Sequence, residues 1–111
     1  MTNITIYRTE DTYLGVEVSG HAGYAEEGED IVCAGISFFT INLINSLEQI
    51  AEDAFSVNID DNTGYMKVTM SYEDDEEQSY ESQILFDSFL LGVEMLEQEY
   101  NEFVKLEIKE V

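Results

Sequence analysis

Ile31-Val32-Cys33-Ala34-Gly35-Ile36-Ser37-Phe38-Phe39-Thr40-Ile41-Asn42-Leu43-Ile44-Asn45-Ser46-Leu47 is the stretch that decides the architecture, because the apolar period changes here from two to three or four. Ile36, Phe39, Leu43, Leu47, Ile50 and Ala54 fall on one helical face, and Asp30 stands where an N-cap is expected. Phe38 and Ile41 lie off that face. They point either to a helix sunk deeper in the core or to a seam covered by a second copy of the chain.

On both sides of this helix the period is two. Ile4 and Ile6, then Val16 and Val18, alternate with polar residues around the turn Arg8-Thr9-Glu10-Asp11-Thr12, which predicts a hairpin. Between hairpin and helix, Gly20 to Asp30 carries Gly20, Gly23 and Gly28 among acidic residues with neither period, and is expected to be a mobile loop. Val57 and Ile59, the turn Asp60-Asp61-Asn62-Thr63-Gly64, and Met66, Val68 and Met70 predict a second hairpin. The acidic run Glu73 to Glu77 reads as a solvated loop. A second helix follows on Ser82, Leu85, Phe89, Val93, Leu96 and Tyr100, with Gly92 permitting close packing. Val104, Leu106 and Ile108 make a last strand, with Lys105 and Lys109 on its outer face. The order ββαββαβ implies an α+β fold, a two-layer sandwich with two helices packed on one face of a mixed sheet, in a single domain over residues 1–111.

Four Lys plus Arg against 25 Asp plus Glu give a net charge of −21 in 111 residues. That repels phosphate backbones and anionic membranes, so neither nucleic acid nor membrane is an expected partner. The same charge would attract a basic protein, or would do no more than keep the protein soluble. Among the residues read as a sequence, no apolar run is expected to reach membrane-spanning length and the start of the chain lacks a signal-peptide pattern, so the expected location is the cytoplasm. One Cys excludes an intramolecular disulfide.

The chemistry available is narrow. Counted from Asp60 as a calcium loop, the sixth position is Tyr65 instead of Gly and the twelfth is Ser71 instead of Glu, so that motif fails. One His and one Cys cannot make a zinc site, and no glycine-rich phosphate cradle is present, so neither metal nor cofactor is expected. What remains is His21 and Cys33, at the two ends of the glycine-rich loop. A cysteine in the first turn of a helix is favoured as thiolate, and an imidazole folded back toward it serves as base. The backbone N–H of Cys33 or Ala34 would then hold a developing oxyanion. The bland alternatives are a buried apolar cysteine and a surface histidine. Asp30 either caps the helix or orients His21, and Ser37, one turn past Cys33, either supports the site or bonds back within its own helix.

At these residues the chain resembles a known family. Gly20-His21-Ala22-Gly23-Tyr24-Ala25 followed by Gly28-Glu29-Asp30-Ile31-Val32-Cys33-Ala34-Gly35-Ile36-Ser37 closely resembles the signature of Prp, the bacterial ribosomal-processing cysteine proteases. Gly35 stands where that family more often has Ala. The resemblance implies a homodimeric cytoplasmic protease without metal, His21 its base and Cys33 its nucleophile. The implied substrate is the N-terminal extension of the twenty-seventh large-subunit ribosomal protein, removed after a phenylalanine-containing motif. The loop from Gly23 to Asp30 would then act as a substrate-ordered lid. Two readings compete with the protease: a non-enzymatic acidic module that sequesters a basic ribosomal or nucleic-acid-binding protein, and a thiol redox sensor, which lacks a resolving Cys.

Overall fold

The computed structural model describes residues 1–20, 29–60, 62–73 and 76–111, the side chains of Glu29 and Asp30 excepted. Strands β1 (Thr2–Thr9) and β2 (Thr12–Ser19) form the first hairpin, followed by helix α1 (Glu29–Gln49). Strands β3 (Phe55–Asp60) and β4 (Tyr65–Met70), helix α2 (Tyr80–Glu99) and strand β5 (Val104–Glu110) complete the expected order. The sheet order is β3-β4-β2-β1-β5, antiparallel except for the parallel pair of β1 and β5. It is therefore a mixed sheet, and the α+β sandwich holds.

Alternation decides which face is core. Ile4, Ile6, Val16, Val18, Met66, Val68, Met70 and Val104 turn inward and are buried with Val32, Ile36, Leu43 and Leu47 of α1 and Phe86, Phe89 and Val93 of α2. Phe55, Val57 and Ile59 of β3 pair with Met70, Val68 and Met66 and so share the inner face. Val57 and Ile59 nevertheless stay 38% and 48% exposed, because β3 is an edge strand beyond the cover of the helices. Lys105 and Lys109 are exposed on β5, as expected.

The helices are antiparallel neighbours: Gly35 lies beside Leu96, and four residues further along α1 Phe39 lies against Gly92, four residues back along α2. A methyl group on Gly92 would come within 2.9 Å of the Phe39 ring, so this glycine is what lets the two helices approach. Ser79 caps α2, its Oγ accepting from the Ser82 N–H at 3.1 Å, while the Ser79 N–H donates to Asp53 Oδ2 at 3.0 Å. The α2 end of the acidic connection is thereby anchored.

Three expectations are corrected. Helix α1 starts at Glu29, so Asp30 sits inside its first turn and is not the N-cap. The helix ends at Gln49, leaving Ile50 and Ala54 outside it and exposed, because the chain turns after Ile50 to bury Ala51. From Ile31 to Gln49, α1 is also long and apolar enough, by length and composition, to cross a membrane, contrary to the expectation that no run reaches that length. Val32, Ile36, Leu43 and Leu47 are its buried core residues, as in a core helix, but only 28% of that span is buried and Phe38 is 77% exposed.

Candidate active site

Of the expected site residues, Cys33, Ala34 and Ser37 lie on α1 and Gly20 directly follows β2 within the described residues. Cys33 is half-buried in the second turn of α1. Helical side chains lean toward the N-terminus, so its sulfur lies back over the first turn. Cys33, Ser37 and Ile41, spaced by four, form one stripe along the helix, flanking the buried face on the side of the second hairpin. That stripe borders a cavity of about 210 Å³ whose walls are Ser37, Ile41, Ile59, Asp60, Tyr65 and Met66.

Met66 ties the cavity to the strand that leads to His21. It pairs with Val18 in the ladder of β2 and β4, and β2 ends one residue later at Ser19. Gly20 follows with a φ of +81°, and a Cβ there would meet the Met1 carbonyl oxygen at 2.8 Å, so this glycine makes a required bend against β1. Gly20, expected as part of the mobile loop, is thus a constrained bend at its start. Gly23, Gly28, His21 and the lid expected between Gly23 and Asp30 lie outside the described residues, as does any orientation of His21 by the Asp30 side chain.

With α1 starting at Glu29, the N–H groups of Cys33 and Ala34 fall within the i→i−4 ladder, directed at the carbonyls of Glu29 and Asp30. The orphan donors lie earlier in the turn, so as the helix stands Cys33 and Ala34 offer no spare amide to an oxyanion. Ser37 lines the cavity, one turn along α1 from Cys33.

The hairpin side of the cavity is held by a carboxylate between two phenols. Tyr65 Oη donates to Glu17 Oε2 at 2.6 Å and Tyr7 Oη to Glu17 Oε1 at 3.0 Å. These bonds hold the Glu17 carboxyl below the usual carboxylate range, the one from Tyr65 contributing most. In return the Tyr65 phenol is pushed up to about 12, chiefly by that hydrogen bond and then by burial. Tyr65 is therefore a neutral, fixed wall at any ordinary pH. Ile59, Asp60, Tyr65 and Met66 carry no local sequence signal of a site, since only the folding of the hairpin beside α1 brings them to Ser37. Among the described residues no group of three or more His, Cys, Asp or Glu is arranged to hold a metal.

Comparison with known proteins agrees with this fold. The sequence profile of the family "Cysteine protease Prp" matches residues 1–105. The ribosomal-processing cysteine protease Prp of Staphylococcus aureus is 31% identical over 100 residues, covering 90% of this chain and 91% of that protein. Its Bacillus subtilis counterpart is 28% identical over 107 residues, covering 96% of each. Among solved structures, the Staphylococcus aureus protease in complex with a substrate peptide superposes with a TM-score of 0.86 at 26% identity, over 98% of this chain and 100% of that one. A Streptococcus mutans protein does so at 0.87 and 38% identity, over 100% of this chain and 96% of its own. With the fold, the half-buried cysteine and a profile match along nearly its whole length in agreement, the chain belongs to the Prp family of ribosomal-processing cysteine proteases.

Proposed function

We propose that the chain removes the N-terminal extension of the twenty-seventh large-subunit ribosomal protein, using Cys33 as nucleophile and His21 as general base. The observation that carries the dyad is the convergence at Met66. This residue pairs with Val18, three residues before His21, and shares a cavity with Ser37, one turn from Cys33. The end of β2 and the Cys33 flank of α1 are thus neighbours across one side chain. The Staphylococcus aureus relative has been solved with a substrate peptide and with a covalently linked product peptide, which supports peptide-bond chemistry at a cysteine here.

In this reading His21 takes the thiol proton and Sγ attacks the scissile carbonyl carbon, forming a C–S bond. The tetrahedral intermediate collapses with loss of the amine, which leaves with the proton from His21, and a thioester remains. Water, deprotonated by His21, then adds to the thioester carbon, and Cys33 departs as thiolate, releasing the new carboxyl terminus. Burial of Cys33 to an intermediate degree suits this chemistry, since the sulfur stays reachable while part of its solvation is removed.

We further propose that the protein works as a homodimer in the cytoplasm, the second copy covering the outer stripe of α1. From Ile31 to Leu47 the helix carries no charged residue, so two copies of a molecule of net charge −21 meet least repulsion there. The exposed Phe38 supplies apolar area for such a seam.

Mass spectrometry of the ribosomal-protein precursor incubated with wild type and with Cys33→Ala tests the activity. A new N-terminus formed by wild type alone is expected, and an intact precursor after prolonged incubation with wild type would overturn the assignment. Sedimentation of wild type against Phe38→Glu tests the dimer: the variant should sediment as monomer, and a monomeric wild type would overturn the seam.

A further inference from the structure

The face of the sheet away from the helices carries one closed set of side chains. Alternation sends Ile4, Ile6, Val16, Val18, Met66 and Val68 into the core, so Tyr7 of β1, Glu17 of β2 and Tyr65 and Lys67 of β4 turn outward. Glu17 uses both carboxylate oxygens, Oε2 accepting from the Tyr65 phenol at 2.6 Å and Oε1 from the Tyr7 phenol at 3.0 Å. Lys67 stands opposite Glu17 in the ladder, and its ammonium lies 5.6 Å from the centre of the Tyr7 ring. One carboxylate thus ties three neighbouring strands, and hydrogen bonds to an ionised acceptor are about twice as strong as neutral ones.

The tie falls where the hairpin is least supported. Strand β3 is an edge strand, so the β3–β4 hairpin joins the rest of the sheet through β4 alone, in four pairs with β2 from Gly15 with Thr69 to Val18 with Met66. The bond from Tyr65, one residue beyond the last pair on β4, to Glu17, one residue before it on β2, crosses that pair and closes it on the outer face. Ile59 and Asp60 stand in register with Met66 and Tyr65, and these four residues make the hairpin wall of the cavity beside Ser37 and Ile41. Where that wall stands relative to α1 therefore depends on how firmly this end of β4 is held to β2.

We propose that Glu17 is a positioning residue for the reaction: acting through the Tyr65 phenol from the far face of the sheet, it holds the end of the β3–β4 hairpin in place as the substrate-facing wall on the Cys33 side of α1. The proposal rests on the reading of Cys33 as nucleophile, which makes this flank of α1 part of the substrate path. Glu17 itself touches no substrate. Because the bond from Tyr65 keeps the Glu17 carboxyl below the usual carboxylate range, the tie is charged and intact throughout the neutral range. A wall held from behind is in place before substrate arrives, so its loss is felt as weaker binding more than as slower chemistry.

The test assays cleavage of the precursor's cleavage-site peptide by wild type, Glu17→Val, Tyr65→Phe, the double variant and Tyr7→Phe, with urea denaturation of each. Valine favours a strand at least as well as glutamate, and Tyr65→Phe removes a single hydroxyl and carries the test should Glu17→Val not fold. Each single variant at 17 and 65 should raise KM about five- to twentyfold with kcat within a factor of about two, and the double variant should be no worse than either. Tyr7→Phe, which leaves the Tyr65 bond standing, should raise KM less than about twofold. The rate of Cys33 alkylation by iodoacetamide should be the same in all five. An unchanged KM in Tyr65→Phe, multiplied effects in the double variant, or a loss of kcat and alkylation with KM unmoved would overturn the positioning role alone. Absence of cleavage by wild type would overturn it together with the proteolytic reading on which it rests.

Discussion

Cys33 shows how far one residue can be read from sequence and where the reading stops. Its place near the front of a helix was legible because the apolar period changes at Ile31, and the paired Gly-His and Asp-Ile-Val-Cys-Ala-Gly segments carry the resemblance to the Prp family. The donors for an oxyanion were not legible, since they depend on which residue opens the helix, and a start at Glu29 places the first four N–H groups at Glu29 to Val32. A serine at position 33 keeps the size and loses the easily ionised sulfur. Cys33→Ser should therefore lower cleavage by at least a thousandfold while leaving precursor binding by calorimetry within a factor of a few. Glu10 offers a separate residue-scale test. It holds a φ of +53° in the tight turn between β1 and β2, where a non-glycine side chain is strained and Asn tolerates the conformation better. Glu10→Asn should raise stability by about 0.5–1 kcal/mol in urea denaturation.

At the scale of elements, the order of strands and helices was readable because each element keeps one period for its whole length. The face of α2 was readable only to within a fraction of a turn. Its pattern offers Leu85, Phe86, Phe89 and Leu90 together, and the core takes Ser82, Phe86, Phe89 and Val93, leaving Leu85 half-buried at the edge. The choice is made by α1, which packs against the other side of α2, and no local signal records that. The contact between the helices predicts two glycine variants of opposite sign. Gly92→Leu must drive atoms into the Phe39 ring and should cost about 1–3 kcal/mol of stability. Gly35→Ala places its methyl 3.7 Å from Leu96, an ordinary contact, and should gain about 0.5–1 kcal/mol from helix propensity. Chemical denaturation of the two variants beside wild type checks both.

For the whole molecule the dominant quantity is charge. At −21 the folded chain repels itself, so its melting temperature should rise on going from low salt to about 0.5 M NaCl at pH 7.5. Substrate capture should respond in the opposite sense. If the acidic surface steers a basic precursor, kcat/KM should fall over that salt range, and a flat profile would assign the charge to solubility alone. The alkaline limit has a defined sign. Tyr65 is raised to about 12 by its bond to Glu17, and Tyr13 to about 12 chiefly by burial and then by its bond to Asp87. The unfolded chain releases these phenolic protons near pH 10, so the stability they contribute is complete below pH 10 and declines as pH rises toward 12. A pH series of thermal melts should show that loss, and a constant melting temperature from pH 9.5 to 11.5 would refute it. The family match and fold together make the chain an enzyme, so the acidic binding module put forward beside the protease is set aside.

The parallel pairing of β1 with β5 has a consequence for biosynthesis. Thr2 and its successors reach their neighbours at Val104 and beyond only after every residue between them has been made, and until then one rim of the first strand displays unsatisfied amides and carbonyls. A nascent chain of this protein is therefore open to adventitious strand addition along β1 from the moment that strand emerges, and the window closes only when β5 slots home.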